Sequence, residues 1–86
     1  MENIPVNYKM LNDIVKILKK LDGVATLEEI CNEYQRFAGD TLSFGKKMAI
    51  KSTIEMYSSD SAKFNEIQDV FFKNGEKAWG LRELLI

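Results

Sequence analysis

Apolar residues recur along most of the chain at the three-and-four spacing of helices, then give way to short β-type runs near the C-terminus. Leu11, Ile14, Val15, Leu18 and Leu21 mark the buried stripe of a first helix, predicted from about Asn7 to Leu21. Asn7 is placed to cap it, and Asp22-Gly23 to stop it, because glycine accepts positive φ without steric cost. Lys9, Lys16, Lys19 and Lys20 fall mostly off the stripe, the last two where cations suit the helix dipole. Val24-Ala25 is too short for an independent strand but can pair with a later hairpin. Thr26 and Glu29 form the T-x-x-E pattern of a capping box and open a second helix over 27–38. Its apolar face is Leu27, Ile30, Cys31 and Tyr34 with Phe37 or Ala38, and Glu28, Glu29 and Glu33 form an acidic outer face, before Gly39-Asp40 ends it.

A third helix is predicted from Ser43 over 44–57. At about 100° per residue, Ala49, Ile50, Thr53, Ile54 and Tyr57 share one side, and Met48, Ser52 and Glu55 lie opposite, flanked by Lys47 and Lys51. Ser58 to Ser61 break the pattern, and 62–68 reads as a loop or a single helical turn anchored by Phe64 and Ile67. Asp69–Lys73 and Lys77–Leu81 then read as strands of a hairpin over about 69–82. Between them lies Asn74-Gly75-Glu76, whose Asn-Gly pair tolerates the positive φ of a tight turn. Trp79 and Leu81 share a face, with Phe71 as their partner across the hairpin. Helix, short strand, helix, helix, hairpin is the order of a winged helix-turn-helix: an α+β, mainly α fold with a two- or three-stranded wing, here a single domain over 1–86. A small helical bundle, the alternative, leaves the β-type stretch of Phe71, Phe72, Trp79 and Leu81 unexplained.

Composition narrows the functional classes. Eighty-six residues allow one core, and 45% hydrophobic with 29% charged residues is ordinary for a globular domain. No apolar run approaches the roughly 20 residues that span a bilayer, and the N-terminus lacks the features of a secretory signal. With the lone Cys31, these features point to the cytoplasm. There is no histidine, so the commonest general base and metal ligand are missing, and one cysteine makes no zinc site. Cys31 reads as a buried structural thiol, and Glu28-Glu29 as a solvated face rather than a carboxylate dyad, since adjacent helical side chains diverge. The expectation is a non-enzymatic module without metal, cofactor or small-molecule substrate.

Net charge of −1 does not mark a polyanion binder, but the charge is uneven. Residues 43–58 hold three lysines against one glutamate. In a helix-turn-helix the second helix of the motif presents its N-terminal residues to base edges. Ser43, Lys46, Lys47, Met48, Lys51 and Ser52 are therefore candidates to meet double-stranded DNA, with Lys73, Asn74 and Lys77 of the wing reaching an adjacent backbone. The same lysines would also serve merely to solubilise an exposed helix. The scarcity of arginine removes the commonest guanine reader and predicts backbone-dominated, salt-sensitive binding, raised in avidity by a second copy or a fused domain. The rival expectation is a protein-interaction or dimerisation module, supported by the acidic second helix and the apolar end Leu84-Leu85-Ile86.

The stretch running from Ile50-Lys51 through Ser59-Asp60-Ser61, Asp69-Val70-Phe71 and Gly75 to Trp79-Gly80-Leu81-Arg82 resembles the HARE-type helix-turn-helix modules of bacterial restriction endonucleases and related defence or DNA-processing proteins. The likeness spans about residues 8–82, with its recognisable motifs in 50–82. It implies that Ile50, Ile54, Phe71, Trp79 and Leu81 are core positions. It also implies that Lys51 stands near a nucleic-acid surface, that Arg82 lies just after the wing, and that the partner is DNA in a targeting or regulatory role beside a nuclease or transcription-related domain. No catalytic domain accompanies this sequence, and its charge is slightly acidic.

Overall fold

The computed structural model describes residues 8–39 and 41–82; Asn7, Asp40 and the Leu84-Leu85-Ile86 end lie outside them. Helix α1 (Tyr8–Lys20) buries Met10, Leu11, Ile14, Ile17 and Leu18, whereas Val15 and Leu21 are only half-buried. The inward stripe is thus rotated toward Met10 and Ile17 relative to the expected one, because α1 packs against both α2 and α3 and needs a broad face. The stop at Asp22-Gly23 uses two positive φ values, 67° and 91°, and the Gly23 N–H donates to the Leu18 carbonyl at 2.7 Å.

The short strand β1 (Val24–Thr26) leads directly into α2 (Leu27–Ala38). The capping box is formed in full: the Glu29 N–H donates to Thr26 Oγ1 at 3.1 Å and the Thr26 N–H to Glu29 Oε1 at 2.8 Å. Ile30, Cys31 and Tyr34 enter the core; Phe37 and Ala38 are exposed and do not extend the buried face. Glu33 is also a correction to the outer acidic face. It is buried, because it turns toward the end of α1, where Lys20 pairs with it; Arg36 stands 4.0 Å away on the other side. Gly39 closes α2 at φ 73°, and Gln35 Oε1 accepts the Leu42 N–H at 2.9 Å, which fixes the turn into α3.

Ser43 caps α3 (Phe44–Met56), its hydroxyl accepting the Lys46 N–H at 3.1 Å. Ile50 and Ile54 are fully buried and Tyr57 ends the helix in the core. The 58–70 stretch is irregular; Phe64 is half-buried, but Ile67 is 80% exposed and anchors nothing. Strands β2 (Phe71–Asn74) and β3 (Ala78–Leu81) follow, and β3 is central in the antiparallel order β1-β3-β2. Phe71 pairs with Leu81 and Lys73 with Trp79, placing Phe71, Trp79 and Leu81 on the inner face. The turn differs from the expected one. Asn74 completes β2 opposite Ala78, and only Gly75 takes positive φ (77°), so the loop is Gly75-Glu76-Lys77. On the outer face a Cβ at Gly80 would overlap the Phe72 ring, so the ring lies directly on the strand backbone there. Three helices with this three-stranded sheet make an α+β, mainly helical fold with a winged-helix layout.

Candidate nucleic-acid interface

The start of α3 is set by a capped helix end that projects beyond the core. Ile50 and Ile54 hold the helix down from its middle onward, leaving the first turn and a half outside. Ser43, Lys46, Lys47 and Met48 are exposed there, and Lys51 and Ser52 are half-buried one turn later. Lys46, Lys47 and Lys51 form no ion pair among the described residues, and no acidic residue occurs between 43 and 54. Phe44, between Ser43 and the lysines, is 79% exposed and Met48 42%. Lys46 also borders a shallow hollow with Ala38, Thr41, Leu42 and Ser43 at the α2–α3 turn.

A second, larger concavity of about 420 Å³ lies between α3 and the wing. It brings together three of the expected cations, Lys51, Lys73 and Lys77, over Trp79 and Leu27. The Lys73 ammonium sits 5.4 Å from the Trp79 ring centroid, within cation–π range. Glu28, Glu55 and Glu76 line the same groove, so its charges balance. Glu55 also meets Lys63, whose ammonium is 3.5 Å from its shielded Oε1. Asn74 is exposed at the end of β2.

Arg82 is in a different situation from the other candidates. Its Nε stands 3.0 Å from Asp69 and its Nη2 donates to Asp60 at 3.2 Å and to the Phe71 carbonyl at 2.9 Å. Asp69 in turn accepts the Ser59 N–H at 3.0 Å and hydroxyl at 2.6 Å, and Asp60 accepts the Lys73 N–H at 2.9 Å. These contacts clip the irregular 58–70 segment to the hairpin. Burial pushes the Asp69 carboxyl up, but the Ser59 hydrogen bonds and the Arg82 charge outweigh it and hold it below its ordinary value.

Elsewhere the perturbed groups are structural. The hydrogen bond from Lys20 outweighs burial and holds Glu33 low. Burial, then Asp13, pushes the Tyr34 phenol up, and burial pushes the Cys31 thiol up against a smaller opposing pull from Lys47. Among the described residues no cluster of His, Cys, Asp and Glu could hold a metal ion, and no helix is long and apolar enough to cross a membrane.

Sequence reasoning placed Glu55 on the outer face beside Lys51 but missed Phe44 as an outward residue and the groove carboxylates Glu28 and Glu76. Phe44 was legible: plotted on α3 it falls beside Lys51 and Met48, away from Ile50 and Ile54. The gathering of Glu28, Glu55 and Glu76 was not, because it depends on how the wing folds over α2 and α3. The class defined by the fold is a winged-helix layout, with a helix start whose Lys46 and Lys47 form no ion pair among the described residues and whose Phe44 is exposed. No protein-family model, curated protein or solved structure matches the chain.

Proposed function

We propose that this chain is a small DNA-binding winged-helix module that lays the start of α3 in the major groove and neutralises backbone phosphates with Lys46, Lys47 and Lys51. The observation that carries this reading is the exposed, acid-free start of α3, whose Lys46 and Lys47 have no ion-pair partner among the described residues, with the half-buried Lys51 at its border with the groove. The positive end of the helix dipole adds to their attraction for phosphate. The wing is an auxiliary: Lys73 and Lys77 are exposed, but the groove they border is neutral. Arg82 belongs to the loop clip and is left out of the contact set. A targeting or regulatory role in a restriction, defence or transcription setting rests on the motif likeness in 50–82 alone.

The test is fluorescence anisotropy with a labelled duplex between 25 and 200 mM salt. Three phosphate contacts give a slope of log affinity against log salt of about −3. Lys47→Glu with Lys51→Glu reduces the slope by about 2. Absence of salt-dependent binding at the low end, or indifference to that double substitution, rejects the reading.

A second reading, a protein-interaction or dimerisation module, is favoured by the exposed aromatics Phe44 and Phe37 (54% exposed) and by the groove carboxylates. Sedimentation across a concentration series, with and without residues 83–86, tests it: a monomer throughout in both forms rejects self-association.

A further inference from the structure

Six asparagines occur in the chain, and Asn74 alone is followed by glycine. The pair stands at the end of the wing with both residues exposed. A side chain on the following residue crowds the approach of its backbone nitrogen to an asparagine carboxamide. Gly75 has none, and an added Cβ would meet nothing within 4 Å, so the nitrogen is open on that side. Neither the Gly75 N–H nor the Asn74 carboxamide has a hydrogen-bond partner among the described residues. The two groups are held together by the chain itself, so a reaction between them is intramolecular and closes a five-membered ring.

The other described asparagines lack this combination. Asn12 lies within α1 and Asn32 within α2, where the next N–H, of Asp13 or Glu33, is tied to a carbonyl one turn back. Asn65 is half-buried, and its Oδ1 accepts the Ile67 N–H at 2.9 Å, which engages the carboxamide away from the Glu66 nitrogen.

We propose that Asn74-Gly75 is a self-modifying site, at which the end of the wing converts from an amide to an acid by deamidation. The Gly75 nitrogen loses its proton to solvent and attacks Asn74 Cγ. The carboxamide C–N bond breaks, ammonia leaves, and a cyclic succinimide forms. Water then opens the ring at either carbonyl. Opening on the side-chain side gives an aspartate in the ordinary linkage; opening on the main-chain side gives isoaspartate, whose backbone runs through the side-chain carbons. The net change is amide plus water to carboxylic acid plus ammonia, with nothing oxidised or reduced. The carboxamide must first swing onto the Gly75 nitrogen, which fraying of the Asn74–Ala78 pair, the last of the hairpin, allows. Either product places a negative charge between Lys73 and Lys77, beside a groove whose charges otherwise balance. Isoaspartate also adds a carbon to the main chain of β2 and removes the Asn74–Ala78 pairing. The change runs one way, so the wing records the age of the molecule whatever partner it meets.

The experiment holds the folded full chain in neutral buffer for several weeks and maps samples by peptide mass spectrometry. The mass gain of an –NH2 to –OH exchange accumulates at Asn74 about an order of magnitude faster than at Asn12, Asn32 or Asn65. It appears as two products of equal mass, aspartate and isoaspartate, which chromatography separates. Asn74→Gln, which would have to close a six-membered ring, shows no gain at that position and keeps the melting temperature of the parent. A gain at Asn74 no faster than at Asn65 overturns the proposal. So does a gain that appears only when urea unfolds the chain, because the folded wing then protects the pair. Aspartate without isoaspartate overturns the ring route and means that water attacks the carboxamide directly.

Discussion

The start of α3 and the groove beneath the wing carry the same kind of charge and present it differently. Lys46 and Lys47 stand at the helix start with no acid from 43 to 54. Lys51 marks the border. Beyond it, Lys73 and Lys77 share the groove with Glu28, Glu55 and Glu76. At physiological ionic strength charges are felt over roughly 8 Å, so an approaching phosphate meets net attraction at the helix start and near cancellation in the groove. A cation count along the chain does not separate these regions; the position of the carboxylates does.

The most direct way to break the comparison is to reverse two charges in each region. Lys46→Glu with Lys47→Glu is expected to weaken duplex binding by about 100-fold at 0.1 M salt, since each lost phosphate contact is worth about tenfold there. Lys73→Glu with Lys77→Glu turns the balanced groove into one of net charge −4 and is expected to cost about tenfold, less than the helix-start pair because the groove has little attraction of its own to lose. Both pairs are at exposed positions, and circular dichroism melts should match the parent. Equal losses in anisotropy titrations would mean that the wing and the helix start act as one surface.

Arg82 supplies a third case, a cation whose charge is spent inside the fold. Its side chain is 31% exposed and joins Asp60, Asp69 and the Phe71 carbonyl. Arg82→Gln is expected to lower stability by about 1–2 kcal/mol, discounted for the partly exposed pairs. The urea midpoint reads this loss. The affinity of the folded fraction for DNA should not change; if it fell as far as in the helix-start variant, Arg82 would have to be returned to the contact set.

The comparison sharpens in the other direction when the groove acids are removed. Glu28→Gln, Glu55→Gln and Glu76→Gln together leave Lys51, Lys73 and Lys77 unopposed. Duplex affinity is expected to rise by about fivefold and the salt slope to steepen by up to about 2. An unchanged slope would show that the wing does not reach the phosphates in the docked complex, whatever its charge.

Local features were legible in the sequence wherever one short segment decides them. The Thr26–Glu29 box, the start of α3 at Ser43, the Ile50–Ile54 stripe and the alternation of Phe71, Trp79 and Leu81 all follow from spacing, and the structure has each of them. The misreadings occur where a distant partner decides. Glu33 looks solvated until α1 brings Lys20 to it, and Arg82 looks free until the 58–70 segment brings Asp60 and Asp69. Asn74-Gly75 signalled the hairpin correctly, but pairing with Ala78 drew Asn74 into the strand and moved the loop by one residue. The helix start was legible for the reason that the groove was not: its lysines lie within one turn of each other, whereas the opposing carboxylates come from α2, α3 and the wing.

Acid should affect the two regions unequally, with the smallest effect of the four. The start of α3 contains no carboxylate, so its shape has no acidic group to lose. The clip depends on Asp69, whose folded value is held below its ordinary one because the Ser59 hydrogen bonds and Arg82 outweigh its burial. Unfolded, such a group titrates near about 3.9. Between the folded and unfolded values the unfolded chain binds more protons, so stability rises with pH. The contribution of Asp69 is therefore fully present above the unfolded value and lost as pH falls through the folded one. Glu33, held low first by the Lys20 hydrogen bond, declines in the same window and must be separated from it. Comparing urea midpoints from pH 6 down to pH 2.5 for the parent chain and Asp69→Asn does this. The variant starts less stable and falls less steeply, and the two curves converge at the acid end. Parallel curves would mean that Asp69 gains nothing from ionisation, leaving Asp60 and the Phe71 carbonyl as the groups that engage Arg82.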